Sequence, residues 1–302
     1  MEKYITYQSK NYCSDLEVAK KFLFGYGSNY ALATSLFPKQ AQEDTIIFYA
    51  FVRYADELVD NPLQEIPHQG HRNIEEYIME WKVLIKNVPD QTTHPILRAA
   101  YWFFKKNNIP FQYSLDFLNA MYQDISKDRY QNYRELQGYM WGSASVIGHV
   151  MTYVLGYNSA YAFTSAQALG EAMQLSNFLR DIDDDYQSRK RIYLPQVDMK
   201  AFGVGEEDIK KRIMTDELRN LIKFYVEKTK ALYIEGRSGI TLLSSGRFPV
   251  LFALHRYRYY LTMIEKNDYN IFIPLKINKR REGLLFISSF FDYLRLSIQK
   301  ML

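Results

Sequence analysis

Apolar residues recur every three or four positions through most of this chain, as at Ile46, Ala50, Tyr54 and Leu58. This spacing is typical of one buried face of an α-helix. Glycine, proline and asparagine interrupt it near residues 61–70, 87–95, 107–110, 156–160, 195–205 and 236–246, where helices are expected to end. No segment alternates apolar and polar residues between hairpin turns. The pattern predicts one all-α domain over residues 1–302, with roughly ten or more helices of typical length.

The composition adds many aromatic side chains to these helices. The 302 residues include 26 Tyr, 19 Phe and 3 Trp, and 47% of all residues are apolar. Such a content supports a sizeable core. Because aromatic rings also stabilise cations, an apolar pocket that holds a cationic species is an alternative use for them. Composition alone favours the packed core.

Charge and cysteine content narrow the class of protein. The net charge of +4, from 38 basic and 34 acidic residues, is too small to indicate a nucleic-acid partner. A single cysteine, Cys13, excludes an intrachain disulfide framework and is typical of a reducing compartment. The N-terminal residues lack the apolar core of a signal peptide, and no apolar run is long enough to span a membrane. We therefore expect a cytoplasmic protein that is at most peripheral to the membrane. The basic run 279–281 could contact lipid, although a solvated surface run is the simpler interpretation.

The first candidate site is the stretch Arg53-Tyr-Ala-Asp56-Glu-Leu-Val-Asp60. Asp56 and Asp60 share one helix face, and Arg53 lies one turn before them. Stacked carboxylates repel unless solvent screens them or a cation binds, and Mg²⁺ typically uses one or two carboxylates together with water and phosphate oxygens. The spacing alone is a weak signal, because Asp124 and Asp128 share it. We interpret that second pair as a solvated helix face.

The second candidate site is a polar stripe on a longer helix. Its members are spaced by three, four and four residues, and they are Gln174, Asn177, Asp181 and Asp185. The residues between them are apolar and predicted to be buried, so the stripe must face partners or a wet cavity. Basic residues accompany the acids, namely Arg180, Arg189, Lys190 and Arg191. Acids that bind metal beside bases that bind phosphate suit a diphosphate site, and a salt-bridged surface helix is the less favoured alternative.

Together the two acidic helices predict the ionisation of an allylic diphosphate. The departing group accumulates negative charge, which metal ions held by two carboxylate sets and nearby arginines can neutralise. The cation left behind must be kept from water. An apolar cavity lined by Phe, Tyr and Trp would shield it without offering a strong nucleophile.

These motifs resemble the squalene/phytoene synthase family from about Gly27 to Arg281. The resemblance rests on three stretches, 52–60, 174–185 and Arg191-Ile-Tyr-Leu-Pro195. The segment 139–148 resembles the tyrosine of the family and the helix of small residues that follows it. Weaker similarities lie at 94–97, 121–124, Tyr257 and 269–272. The motif sequences are most like those of bacterial or archaeal phytoene synthases.

The resemblance implies an isoprenoid-synthase fold, with helices around a central cavity, and a role for each matching residue. Mg²⁺, which Mn²⁺ could replace, would be bound by Asp56, Asp60, Asn177, Asp181 and Asp185. Catalytic roles would belong to Arg53, Tyr139, Arg180 and Tyr193. Prenyl diphosphate substrates would be bound by Ser28, Arg53, Gln174, Asn177, Arg180, Arg191 and Tyr257.

Three positions depart from the pattern of the family. Gly27 stands where a lysine is common and Asn29 where a phenylalanine is common, and no arginine follows the 269–272 block, where Leu275 and Lys276 stand instead. Lys276 or Lys279 could supply the missing diphosphate contact. The small residues of 142–148 allow two interpretations. They permit close helix–helix contact, or they thin the wall beside a long prenyl tail.

The leading hypothesis is a prenyltransferase that joins two geranylgeranyl diphosphates head to head, giving phytoene through a cyclopropylcarbinyl diphosphate. No Gly-x-Gly-x-x-Gly loop occurs, so NADPH is not expected. The alternative is a squalene or dehydrosqualene synthase acting on farnesyl diphosphate. A non-catalytic relative that serves as an assembly or binding factor is a third hypothesis, which the presence of all four aspartates disfavours. Substrate chain length, product isomer and oligomeric state stay open.

Overall fold

A computed structural model describes residues 7, 10–26, 34–60, 70–90 and 93–299. These residues form thirteen α-helices, which are α1 (Tyr12–Tyr26), α2 (Lys39–Asp60), α3 (Ile74–Leu84), α4 (Pro95–Lys106), α5 (Phe111–Gln123), α6 (Tyr133–Met140), α7 (Val146–Leu155), α8 (Tyr161–Arg189), α9 (Gln196–Phe202), α10 (Glu206–Lys210), α11 (Asp216–Ser238), α12 (Arg247–Lys266) and α13 (Lys279–Gln299). A π-helix covers Trp141–Ser145, and a 3₁₀-helix covers Gly239–Leu242. The described residues contain no strand beyond isolated bridges. The all-α prediction is confirmed.

Most helix ends fall at the predicted interruptions, but α5, α10 and α12 end at Gln123, Lys210 and Lys266, where the sequence predicts none. Within 195–205, where a break is predicted, the short helix α9 forms. Asparagine starts two helices as an N-cap. The side chain of Asn73 accepts a hydrogen bond from the Glu76 amide at 2.9 Å, and that of Asn132 accepts one from the Glu135 amide at 3.0 Å. No helix in the described ranges is long and apolar enough to cross a membrane.

The helices form two compact units. The first comprises Met1–Ile125 with Tyr153–Gly156, and the second comprises Ser126–Thr152 with Tyr157–Leu302. The first acidic motif, on α2, belongs to the first unit. The second acidic motif, on α8, belongs to the second unit. The single-domain organisation over residues 1–302 stays a prediction.

Aromatic packing fixes α2 in the first unit. Phe51 lies 4.9 Å from Trp81 between ring centroids, and Tyr54 lies 5.0 Å from Tyr77. The Tyr54 hydroxyl also contacts Nδ1 of buried His71 at 3.2 Å. These rings bury 150–250 Å² each in typical cores, so the apolar face of α2 is held firmly. The acidic motif lies on the same helix.

Close backbone contact positions α8 in the second unit. A Cβ atom added to Gly148 on α7 would lie 2.5 Å from the Ala166 carbonyl oxygen of α8. One added to Gly170 on α8 would lie 2.7 Å from the Ala144 carbonyl oxygen of the π-helix. Only glycine permits such an approach. The close-contact interpretation of the small residues in 142–148 is therefore confirmed, and the tail-wall interpretation stays a prediction.

Candidate active site

The first acidic cluster lies at the end of α2. Arg53 forms ion pairs with Asp56 and with Glu57 on the same helix. Glu57 is buried, and its role was missed by the sequence analysis, which considered only the two aspartates of the motif. Because a buried carboxylate needs a charged partner, Glu57 anchors the guanidinium group of Arg53 beside Asp56.

The pKa of Asp56 is raised although its carboxylate forms an ion pair with Arg53. Burial and the carboxylate of Asp60 raise the pKa of Asp56 to about 6, against the opposing effect of Arg53. Glu57 and Asp124 add to the increase. The Asp56 side chain is still 35% exposed, so solvent and ions can reach it. A divalent cation at this position would relieve the repulsion.

Asp124 and Asp128 do not form the solvated helix face that their spacing suggested. Helix α5 ends at Gln123, and Asp124 is its C-cap. Asp128 is 62% exposed and lies outside any helix. Asp124, in contrast, is near enough to Asp56 to raise its pKa. The earlier interpretation is therefore wrong for Asp124, whose negative charge adds to the increase in the pKa of Asp56.

The second acidic cluster follows the polar stripe of α8. Gln174, Asn177, Asp181 and Asp185 are all partly exposed. The apolar residues between them are buried, as predicted, and they are Leu175, Phe178, Leu179 and Ile182. The helix thus buries one side and presents a row of oxygen atoms on the other. The Oδ1 atom of Asn177 is inaccessible to solvent and has no hydrogen-bond partner among the described residues.

Arg180 connects this stripe to α12. Its Nε donates to Oδ1 of Asp181 at 2.6 Å, and a terminal nitrogen donates to Oδ2 at 2.5 Å. The guanidinium carbon lies 4.7 Å from the ring centroid of Tyr260. A cation over an aromatic face is stabilised, and the two-pronged pair fixes the orientation of the Asp181 carboxylate. Tyr260 was not predicted, although it follows Tyr257 by one helical turn.

Asp185 is the most strained acid of the second cluster. Burial and the neighbouring Asp181 raise its pKa to about 7, although Arg189 and Arg191 act in the opposite direction. The repulsion between the two carboxylates resembles that between Asp56 and Asp60. Each acidic helix therefore keeps one aspartate in a state that a bound cation would stabilise.

The oxygen ligands fit Mg²⁺ bound partly through water and phosphate. The described residues contain no group of three or more acids, histidines or cysteines close enough to enclose a metal ion. Each cluster offers two aspartates one turn apart, and the second also offers the unsatisfied Oδ1 of Asn177. Mg²⁺ usually takes one or two carboxylates and completes its octahedron with water and substrate oxygens. The predicted metal ligands fit this mode.

An aromatic cluster lies next to the second acidic helix. Phe178 stacks on Tyr193 with ring centroids 3.9 Å apart. Tyr139 lies 5.8 Å from Tyr193, and Tyr130 lies 5.4 Å from Tyr139. All four rings are buried. The structure thus brings Tyr139 and Tyr193 together, as predicted, and adds Phe178 and Tyr130, which sequence reasoning did not assign to the site.

Arg191 joins this aromatic cluster to the acids. Its guanidinium group donates to the Tyr193 hydroxyl at 2.9 Å. Its charge also opposes the increase in the pKa of Asp185 that burial and Asp181 cause. Arg191 is buried, although it follows the end of α8. Lys190 makes the turn possible by adopting a left-handed conformation with φ of 57°. The segment after α8 therefore returns toward the helix instead of extending away from it.

The remaining predicted residues are less central. Tyr257 lies on α12, and its ring centroid is 6.4 Å from that of Tyr260. Lys276 and Lys279, which could replace the missing arginine, are exposed. Ser28, a predicted substrate contact, and Gly27 lie outside the described residues.

The helices form the all-α isoprenoid-synthase fold, and two of them carry paired aspartates. The profile of the squalene/phytoene synthase family matches residues 23–282. The chain therefore belongs to the squalene/phytoene synthase family. The expected resemblance to phytoene synthases and the isoprenoid-synthase fold are both confirmed.

Curated relatives and a solved structure agree with this assignment. Phytoene synthase 1 of Zea mays is 31% identical over 255 residues, which cover 82% of this chain and 60% of the maize protein. This chain thus corresponds to about 60% of that relative. The 15-cis-phytoene synthase of Synechocystis is 29% identical over 273 residues, covering 85% of this chain and 78% of that protein. The crystal structure of a dehydrosqualene synthase superposes with a TM-score of 0.82 at 25% identity, covering 96% of this chain and 99% of the other.

Proposed function

We propose that the protein is a prenyltransferase that condenses two geranylgeranyl diphosphates head to head, forming phytoene through a cyclopropylcarbinyl diphosphate. The observation that carries the proposal is that the carboxylates of Asp56 and Asp185 have similar electrostatic environments. Each is held one turn from a second aspartate, with a raised pKa and an arginine nearby. Such strained pairs are expected where a protein binds metal and diphosphate, since a merely structural role would favour their loss.

The acidic clusters would bind Mg²⁺ through Asp56 and Asp60 on α2 and through Asn177, Asp181 and Asp185 on α8. When bound, Mg²⁺ neutralises the negative charge that develops on a departing diphosphate. Asp181 is already oriented by its pair with Arg180. Arg53 and Arg180 would contact diphosphate oxygens, for which the guanidinium group is well suited.

The aromatic cluster would protect the allylic cation. Tyr139, Phe178 and Tyr193 offer buried ring surface close to α8, and ring faces stabilise positive charge without reacting with it. Exclusion of water prevents capture of the cation as an alcohol. The first coupling releases one diphosphate, and one proton as the cyclopropane ring closes. The cyclopropylcarbinyl diphosphate then loses its own diphosphate, rearranges and loses a second proton. Proton loss needs no hydride donor, in keeping with the absence of a recognisable dinucleotide loop in the sequence.

A second candidate is dehydrosqualene or squalene synthesis from two farnesyl diphosphates. The superposition with a dehydrosqualene synthase over 96% of the chain favours it. The similarity to curated phytoene synthases supports the longer substrate. Dehydrosqualene formation ends in proton loss, whereas squalene formation requires a reductant.

The test is a product assay on purified protein. Geranylgeranyl diphosphate and farnesyl diphosphate are supplied separately, each with and without Mg²⁺ and with and without NADPH, and the hydrocarbons are identified by mass. We expect phytoene from geranylgeranyl diphosphate with Mg²⁺ and without NADPH. A C30 product formed faster than phytoene would show that farnesyl diphosphate is the substrate. Squalene formed only with NADPH would show that the reaction ends in hydride transfer and not in proton loss. No hydrocarbon from either substrate by a folded protein that binds Mg²⁺ would favour a non-catalytic role.

A further inference from the structure

The outward side of α13 is apolar. Five of its residues follow at intervals of three and four positions, namely Leu284, Ile287, Phe291, Leu294 and Ile298. Each keeps between 39% and 59% of its surface exposed. Phe286 and Phe290 beside them pack partly on Phe248 of α12 and keep 37% and 45% of their surface exposed. These seven residues form an apolar band, which is wider than the narrow seam of a two-stranded coiled coil.

The acidic residues of α13 face the protein instead. Asp292 accepts hydrogen bonds from Arg237 of α11 and from His255 of α12, each at 3.1 Å. Glu282 accepts one from Arg256 of α12 at 3.0 Å. Although burial acts in the opposite direction, the bonds from Arg237 and His255 lower the pKa of Asp292. Ion pairs attach this side of the helix together with aromatic contacts, since the Phe286 ring lies 5.0 Å from Phe248 and 5.6 Å from Phe252 of α12 between centroids. The five regularly spaced apolar residues, in contrast, face away from the protein.

A basic cleft of about 450 Å³ adjoins the apolar band. Its lining includes Arg237, His255, Arg258, Phe291, Asp292 and Arg295. Asp292 is already paired with Arg237 and His255, so Arg258 and Arg295 give the cleft a positive charge. Phe291 belongs to both the cleft and the band, so the positive and apolar surfaces are continuous.

Positive charge also marks the beginning of α13. Lys279 and Arg280 are exposed there. Residues 279–299 contain two acids, Glu282 and Asp292, and both are paired with bases of α11 or α12. The outward side of the helix therefore combines apolar side chains with bases and carries no acid that faces away from the protein.

We propose that α13 is a docking surface for an anionic lipid membrane. The apolar band would enter the region between headgroups and acyl chains, and Arg258 and Arg295 would contact lipid phosphates. A lipid surface supplies both complements, negative headgroups and an apolar interior. A second copy of the chain supplies only one, because a symmetric contact places the same patch on itself and brings like charges together.

Vesicle sedimentation with the full chain tests this proposal. Vesicles of phosphatidylcholine are compared with vesicles that also contain phosphatidylglycerol, at low and high salt. We expect binding to the anionic vesicles to exceed binding to the neutral ones at least about fivefold and to weaken with salt. No prenyl substrate is needed, so failure of this proposal is distinguishable from failure of the proposed enzymatic activity.

Two variants and two matched controls sharpen the test. The double variant Ile287→Ser with Phe291→Ser should lower binding about tenfold or more, and Arg295→Glu should lower it about fivefold or more. Ile234→Ser on α11 removes an apolar side chain that is 70% exposed outside the band. Lys223→Glu reverses an exposed charge on the same helix. Both controls should bind as the unchanged protein does, and thermal unfolding should confirm that all four variants are folded.

Several outcomes would overturn the proposal. These are absence of vesicle binding, equal binding to neutral and anionic vesicles, and equal loss in the controls. Light scattering on the same samples tests whether a second copy of the chain occupies the apolar band instead. If the unchanged protein is a dimer that the double variant converts to a monomer, the band is an interface between copies and the lipid proposal is wrong.

Discussion

Phe178 and Tyr193 stack almost parallel, with ring centroids 3.9 Å apart and an angle of 12° between the ring planes. Phe178 lies on α8, one turn before Asp181, whereas Tyr193 lies beyond the end of that helix. The stack therefore holds the segment after α8 against the helix that carries the acids. Arg191 strengthens this arrangement through its hydrogen bond to the Tyr193 hydroxyl.

Loss of the Tyr193 ring should allow water to reach the allylic cation. We expect Tyr193→Leu to lower hydrocarbon formation at least about tenfold and to raise the fraction of prenyl alcohol, since the cation loses an aromatic wall. Product ratios by mass spectrometry measure this effect. Tyr193→Phe is the matched control, because it keeps the stack and removes only the hydroxyl that Arg191 contacts. If both variants gave the same alcohol fraction, the hydroxyl and not the ring would matter.

Asp185 should make the metal-free protein less stable as the pH rises. Its pKa is 3.8 in the unfolded chain and about 7 in the folded one, so between these values the folded state binds more protons. Stability from this group is therefore greatest at low pH and is lost as the pH approaches 7. Asp185→Asn should be more stable than the unchanged protein by about 2 kcal/mol at pH 8. Near pH 4 the difference should vanish.

Denaturant unfolding in a chelator, at pH 4 to 8, measures that difference. Asp128→Asn is the control, because Asp128 is largely exposed and its substitution should shift the curve little at any pH. An Asp185→Asn variant that is less stable than the unchanged protein at pH 8 would contradict the assignment of Asp185 as a strained metal ligand.

The first acidic cluster predicts a graded series of activities. Asp56→Asn should abolish turnover, because it removes a proposed metal ligand and the charge that Arg53 pairs with. Asp124→Asn should weaken activity by an intermediate amount, since Asp124 raises the pKa of Asp56 without sharing its helix. Asp128→Asn should have little effect. Initial rates as a function of Mg²⁺ concentration would show the order, and a normal rate for Asp124→Asn would show that its charge has no effect on the reaction.

Tyr260 should matter through its contact with Arg180. We expect Tyr260→Leu to lower kcat/KM about three- to tenfold, as the cation loses the ring that orients it. Tyr260→Phe keeps the ring face and should retain most of the activity. The test is steady-state kinetics of both variants, with circular dichroism to verify the fold. Equal losses in the two variants would assign the effect to the hydroxyl group.

The glycine contacts around α8 predict opposite effects at two nearby positions. Gly148→Ala should destabilise the fold by about 1–3 kcal/mol, because the new methyl group would meet the backbone of Ala166. Gly138→Ala lies on α6 with nothing within 4 Å of the added carbon. It should stabilise the fold by about 0.5–1 kcal/mol, since alanine favours helix. Thermal unfolding distinguishes the two, and a neutral Gly148→Ala would show that α7 and α8 can separate.

Local rules predicted the helices and much of the site. The three–four spacing on α8 correctly separated the polar stripe from buried Leu175 and Phe178. The same rule failed for Asp124 and Asp128, because it assumes one continuous helix and α5 ends at Gln123. Nothing in the nearby residues announces that end strongly. The effect of Asp124 on the pKa of Asp56 depends on tertiary structure.

Other parts of the site also lay beyond local reasoning. Tyr260 reaches Arg180 across two helices that are far apart in sequence, and no periodicity reports such a pairing. The sequence also does not show which face of α13 is exposed. Its apolar spacing is that of a buried helix, so only the packing of Asp292 against Arg237 and His255 reveals which side faces the protein.

The strained aspartate pairs have an evolutionary consequence. If neutralising Asp56 or Asp185 stabilises the metal-free fold, a lineage that no longer needs the reaction gains by losing these acids. Their replacement would then be among the early changes in a descendant that has taken up another role. This chain carries all four aspartates, and the same positions offer a simple criterion for sorting relatives into groups with and without these acids.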